Sequence, residues 1–118
     1  MIEIIPAMDL IDGKCVRLTQ GDFARESVYS DDPLETAKCF EDAGLRRLHM
    51  VDLDGARTGS PSNLKILEKV AKGTKLAIDF SGGLKTDADV LSVFDAGAAI
   101  AAVGSVAVKH PEVFFSWV

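Results

Sequence analysis

Several residues in this 118-residue chain are of a type and spacing that could do chemistry. Asp9 closes the apolar run Ile4-Ile5-Pro6-Ala7-Met8. A carboxylate at the end of such a run is partly desolvated. Burial disfavours its charged form and moves its pKa toward the range of a general base. The same position also suits an aspartate that only caps a loop. Ser81-Gly82-Gly83-Leu84-Lys85-Thr86 offers a second kind of chemistry. Paired glycines let backbone N–H groups approach an anion closely, beside the start of a helix. Gly104-Ser105 adds one more amide and a hydroxyl, and the two segments together would cradle a phosphate. Asp52, Asp54 and Asp79 could approach a divalent ion, but no third ligand is obvious and no metal is expected. His49 is either a packing residue or a substrate contact at the mouth of the site. Lys14 and Arg17 follow Asp9 closely, as anion contacts or as solvated surface charge. His110 reads as a helix-entry residue.

These groups need a scaffold that gathers strand ends. Four apolar runs read as strands: Ile2–Met8, Arg47–Leu53, Lys75–Phe80 and Ala99–Val103. Near-continuous apolar runs suit parallel strands covered by helices. The strands then end in Asp9, in Asp52-Leu53-Asp54-Gly55, in Ser81-Gly82-Gly83 and in Gly104-Ser105. Helices alternate with them. Asp32 caps the first, Pro33 opens it, Glu35 completes a capping box, and Gly44 stops it after Ala43. The second runs from Ser60 or Pro61 to Gly73. The third follows Thr86, with Asp89 at its third position, and stops at Gly97. The fourth begins at Pro111.

Helix starts recur every 24–28 residues, the length of one βα unit. Eight such units make a (β/α)8 barrel of about 250 residues, whose active site lies at the C-terminal strand ends. Four are present here, the last helix short. The chain therefore reads as α/β, a single N-terminal half-barrel over residues 1–118 that ends on Trp117-Val118 without a cap. The first and fourth strands are then expected to present open edges through which the chain could self-associate. A weak repeat, Phe40 to Gly44 against Phe94 to Gly97, supports the modular reading. Between strand one and its helix lies a long excursion from Gly13 to Val28. It reads as a hairpin of Cys15–Leu18 against Ser27–Tyr29, with a polar tip near Gly21 to Glu26.

Composition narrows the partners. Hydrophobic residues are 47% and charged residues 26%, as in an ordinary globular domain. A net charge of −5 argues against nucleic acid as a partner. Cys15 and Cys39 lack metal-ligand spacing and read as reduced thiols in a cytoplasmic protein. No signal peptide is evident at the N-terminus, and the small, apolar stretch from Ala96 to Val108 is too short to span a membrane.

Five segments occur in one order: Ile4 to Gly13, Val16 to Asp22, Leu48 to Ala56, Ser81 to Leu84, and Val103 to Ser105. In that order they resemble the phosphoribosylformimino-aminoimidazole carboxamide ribotide isomerases of histidine biosynthesis. The resemblance covers the whole chain but only the first half of that family's barrel. It implies an Amadori aldose–ketose rearrangement of a bis-phosphorylated ribotide, without metal or organic cofactor. Asp9 then matches the general base, Arg17 and His49 match substrate contacts, and Ser81, Gly83, Gly104 and Ser105 match one of two phosphate sites. The general acid and the second phosphate site belong to the missing half, so the isolated chain is expected to be inactive. Lys85 stands where the family often has arginine, which weakens any bidentate phosphate contact. The nearest rival is the cyclase subunit of imidazole glycerol phosphate synthase, a sister barrel, where a lysine near Arg17 would be expected. An isomerase that also serves tryptophan synthesis is another. A rival of a different class is a non-catalytic phosphate-binding half-barrel that pairs with a second half.

Overall fold

The computed structural model describes residues 2–19, 22–104 and 109–118. Six strands form one sheet: β1 (Ala7–Ile11), β2 (Lys14–Thr19), β3 (Asp22–Ser30), β4 (Arg47–Asp52), β5 (Ala77–Ser81) and β6 (Ile100–Ala102). Among the described residues five helices accompany them: α1 (Pro33–Asp42), α2 (Leu53–Thr58), α3 (Leu64–Gly73), α4 (Asp87–Asp95) and α5 (Pro111–Trp117). The strand order is β3-β2-β1-β4-β5-β6. β1, β4, β5 and β6 are parallel and alternate with helices, the arrangement of a partial (β/α)8 barrel, while β2 and β3 form an antiparallel hairpin beside β1.

One face of the sheet carries the core. Met8, Leu10, Leu48, Met50, Ile78 and Phe80 are buried, and they pack with Leu67, Val70 and Val93 of the covering helices. Alternation along each strand sends the intervening residues to the opposite face. Register then aligns them in rows: Ala7, His49, Asp79 and Ile100 in one, and Asp9, Val51, Ser81 and Ala102 in the next toward the strand C-termini.

Several expectations need correction. The first strand begins at Ala7, not Ile2, and Asp9 is its middle residue rather than its end. Asp12 and Gly13 have φ of 51° and 74°. Two successive positive φ values make the tight primed turn that joins β1 to β2, whose right-handed twist it matches. The β2–β3 hairpin forms with Val16 opposite Val28 and Leu18 opposite Glu26, as expected but longer. Of its expected tip, Gly21 lies outside the described residues. Because β2 takes the outer side of β1 from Asp9 to Ile11, one open edge of the sheet is β3 rather than β1; the other is β6, the expected fourth strand.

The second predicted helix is α3, which starts at Leu64 rather than at Ser60 or Pro61, and a helix the sequence reading did not expect, α2, precedes it. Asp52 caps α2 through Gly55 N–H, so the chain turns helical directly after β4, and Gly59 ends that turn with a left-handed φ of 92°. At α1, Asp32 accepts from Glu35 N–H as predicted, but Ser30 Oγ takes the Asp32 N–H that Glu35 was expected to hold. The box at α4 is complete: Thr86 and Asp89 cap each other's N–H groups. α5 starts at Pro111, as the sequence predicts.

Candidate functional site

Two groups of side chains meet on the open face of the sheet. The first surrounds Asp9. Its carboxyl is partly exposed, and burial holds it above its ordinary value, with His49 pulling the other way. His49, one row below on β4, contacts Asp79 of β5 through Nδ1 and Oδ1. Their side chains keep 38% and 21% exposure, so the pair is open to a ligand yet partly screened from water. Tyr29 of β3 lies against Cys15, near enough to Asp9 to feel its charge. Its hydroxyl is pushed up to about 12, by burial first, then by Cys15 and Asp9, against the nearby Arg17. Arg17 itself is exposed on β2, opposite Ser27. Lys14 is exposed at the start of β2.

The second group is the glycine turn after β5. Ser81, Gly82 and Gly83 line a cavity of about 400 Å³, with Gly104, Lys85 and Lys109 also on its wall. Gly82 and Gly83 have φ of 115° and 80°, and a Cβ on them would lie 2.2 Å from Asp52 O and 2.3 Å from Gly55 O. Packing alone therefore demands glycine at both positions, before any ligand is considered. The α4 N-terminus differs from the sequence reading. Asp89 Oδ2 accepts from both Lys85 N (3.0 Å) and Thr86 N (3.1 Å), so that helix start already has its own carboxylate. An anion in this cavity would rest on the turn and the two ammonium groups, not on the helix end. Ser105 lies outside the described residues.

The three aspartates weighed as metal ligands do other things. Asp52 is fully buried, and its two oxygens accept from Gly55 N, Ser62 N, Asn63 N and Asn63 Nδ2 at 2.6–2.8 Å. Asp54 Oδ2 accepts from Asp12 N (2.6 Å) and Asn63 Nδ2 (3.0 Å), while Asn63 Oδ1 accepts from Gly13 N (3.0 Å). This network pins the β1–β2 turn to the α2–α3 junction. Asp79 serves His49. Among the described residues no group of three or more His, Cys, Asp or Glu is placed to hold a metal ion. His110 is the residue before α5, 4.0 Å from Glu112, remote from these roles.

The sequence reading missed Tyr29 and Lys109 and weighed Asp79 only as a metal ligand. Asp79 meets His49, and Tyr29 comes near Asp9, only through strand pairing, which a single sequence does not display. Lys109 reaches the cavity from a segment far along the chain.

Asp9 and Ser81 share a row two strands apart, which strand spacing makes roughly 10 Å. A partly buried carboxyl and the cavity at the glycine turn thus lie on one face of the sheet, about a small sugar's length apart. Among the described residues no helix is long and apolar enough to cross a membrane.

Several curated proteins resemble this chain along nearly its whole length. A protein of Parabacteroides distasonis is 60% identical over 118 residues, all of this chain and 49% of the relative. One from Cytophaga hutchinsonii is 56% identical over 117 residues, 99% of this chain and 49% of the relative. One from Flavobacterium psychrophilum is 54% identical over 117 residues, 99% of this chain and 48% of the relative. All three are named 1-(5-phosphoribosyl)-5-((5-phosphoribosylamino)methylideneamino) imidazole-4-carboxamide isomerase. The chain spans about half the length of these curated relatives. The sequence pattern of the family described as Histidine biosynthesis protein matches residues 3–118, and the chain belongs to that family.

Proposed function

We propose that these 118 residues form the N-terminal half-barrel of an isomerase acting on a bis-phosphorylated ribotide. The observation that carries this reading is the row shared by Asp9 and Ser81, with Lys85 and Lys109 on the wall of the cavity beside Ser81. The names of the relatives favour the isomerase over the sister cyclase. One phosphate of the substrate rests on Ser81, Gly82, Gly83 and Gly104, held by the two lysines. The sugar then extends along the sheet face toward His49 and Asp9, with Arg17 contacting it from β2.

The chemistry follows from an Amadori rearrangement. Ring opening converts the ribosylamine to an imine at C1 and needs a proton delivered to the ring oxygen. A base then removes the C2 proton, its electron pair forms the C1–C2 double bond while the C1–N π pair returns to the protonated imine nitrogen, and the enaminol tautomerises to the ketose. Asp9 is the base, and burial raises its proton affinity toward the useful range. The acid for ring opening belongs to the half of the barrel beyond these residues, so this chain alone does not turn over. The chemistry uses no metal or cofactor, and the free thiols Cys15 and Cys39 suit a cytoplasmic enzyme.

Calorimetric titration with ribose 5-phosphate tests the cradle. The chain is expected to bind, and replacing Lys85 and Lys109 together by Ala is expected to weaken binding about tenfold. Equal affinity in the double variant, or substrate turnover by the pure chain, would overturn this assignment.

A second reading has its own support. Ile2, Ile4, Ile5 and Ile100 are 92%, 67%, 44% and 49% exposed, which leaves apolar area for a second half-barrel to cover. A non-catalytic chain that pairs in this way would be a discrete dimer by light scattering, and a monodisperse monomer would exclude it.

A further inference from the structure

His49 can act on a ligand only if its ring is fixed. The imidazole has two nitrogens, and the hydrogen bond made by one decides what the other presents. Here Nδ1 is engaged by Asp79 Oδ1 from the neighbouring strand, at the directly opposed register position. An ionised carboxylate only accepts, so the proton of this bond sits on Nδ1. The two ring nitrogens diverge, so Nε2 faces away from Asp79, and the ring is near enough to Asp9 to act on its carboxyl. Other charges near the ring follow the same layout. Asp9 acts on it from β1, and Arg47, one row below on its own strand, is paired with Glu3 at 3.2 Å.

We infer that Asp79 is a positioning residue: it locks His49 as the Nδ1–H form and presents Nε2 to the sugar portion of a ligand lying between Asp9 and the glycine turn. The lock deepens the phosphosugar reading above and rests on it for the identity of the ligand. With the ring so held, Nε2 accepts from a sugar hydroxyl when the imidazole is neutral and donates to an oxygen when it is protonated. Without Asp79 the ring is free to rotate and to take the form that free imidazoles prefer in water, with the proton on Nε2.

Long-range proton–nitrogen NMR spectra of the uniformly nitrogen-labelled 118-residue chain test this directly. The chain has two histidines, so His110 serves as the internal reference. At about pH 8.5, above the ordinary histidine range, His49 is expected as the Nδ1–H form and His110 as the Nε2–H form. Asp79→Ala should shift His49 to the Nε2–H form and leave His110 unchanged, and Asp79→Glu should restore the lock at least in part. Asp79→Ala should also weaken ribose 5-phosphate binding about fivefold, the worth of one hydrogen bond, and leave inorganic phosphate binding unaltered. A wild-type His49 spectrum of the Nε2–H form overturns the inference without recourse to any variant. So does an Asp79→Ala spectrum identical to the wild type. Wild-type chain that binds inorganic phosphate but not ribose 5-phosphate would instead sink the phosphosugar reading, while the ring assignment would still be decided by its spectrum.

Discussion

Asp52→Asn should cost this fold far more than its near isosteric shape suggests. The carboxylate is fully buried, and each oxygen accepts two hydrogen bonds: Oδ1 from Gly55 N (2.8 Å) and Asn63 Nδ2 (2.7 Å), Oδ2 from Ser62 N (2.6 Å) and Asn63 N (2.8 Å). An amide replaces one oxygen with a donor. Whichever way it turns, two buried donors lose their acceptor and face an N–H group instead. At about 1–3 kcal/mol for each orphaned donor, the loss is about 2–6 kcal/mol. Small domains hold only about 5–15 kcal/mol in all, so the variant loses a large share. Asp54→Asn is the matched control. Its oxygen can stay on Asp12 N and Asn63 Nδ2 while the new amide faces Arg57, now 3.6 Å from Oδ1, and only an exposed ion pair worth at most about 1 kcal/mol is lost. Urea unfolding followed by circular dichroism measures both. The Asp52→Asn midpoint should fall by more than about 1 M at unchanged slope, and the Asp54→Asn midpoint should barely move. Equal, small shifts in the two variants would refute the claim that this carboxylate is the structural keystone of the α2–α3 junction.

Three further outcomes are expected. Burial raises Asp9 above its ordinary value, so its folded-state contribution is complete below the unfolded pKa and is lost as pH rises through the folded one. Asp9→Asn should therefore stabilise the chain at neutral pH, by on the order of 0.5 kcal/mol after allowance for its contact with water. That gain should vanish at acidic pH, and a variant no more stable at pH 7 than the wild type would contradict it. Tyr29 is the only tyrosine, and its phenolate ultraviolet band should appear with a midpoint near 12. The stability linked to it is present below the ordinary tyrosine value and fades as pH climbs toward 12; a midpoint near 10 in the folded chain would show that Tyr29 is not held by β2 and Asp9. Gly83→Ala combines a φ of 80° with a Cβ 2.3 Å from Gly55 O. It should destabilise by about 2 kcal/mol or more in thermal melts, and an unchanged melting temperature would mean that the turn relaxes freely.

Local signals in the sequence carried the helix boundaries well, because caps are local chemistry. Asp32, Pro33 and the Thr86–Asp89 box sit within a turn of the groups they satisfy. The parallel strands were legible for the same reason, as apolar runs between Ala-Gly stops. Asp12-Gly13 between two apolar runs was also a local signal, and it would have shortened the first strand's reach and placed the hairpin turn. What escaped was non-local. Asp52 looks like a loop aspartate or a metal ligand until its partners, 10 and 11 residues on, fold back over it. The extra helix α2 depends on that same carboxylate, since six residues of Leu53-Asp54-Gly55-Ala56-Arg57-Thr58 would not hold a helix by propensity. His49 and Asp79 are 30 residues apart and meet only because β4 and β5 pair in one register.

That register is what joins scaffold to chemistry. Along β1, β4 and β5 every second residue is buried and apolar against the helices, save Asp52 at the end of β4, and the residues between carry Asp9, His49, Asp79 and Ser81. A one-residue slip of β5 would bury Asp79 and Ser81 among the helices and expose Ile78 and Phe80. The apolar face thus enforces the polar one: burying Phe80 and Ile78 fixes where Asp79 stands, and Asp79 in turn fixes His49. The candidate site therefore needs little local rigidity of its own. Its geometry is set by core residues that never touch a ligand. Changes at Met50 or Phe80 should consequently disturb the His49–Asp79 contact as surely as a change at Asp79 itself.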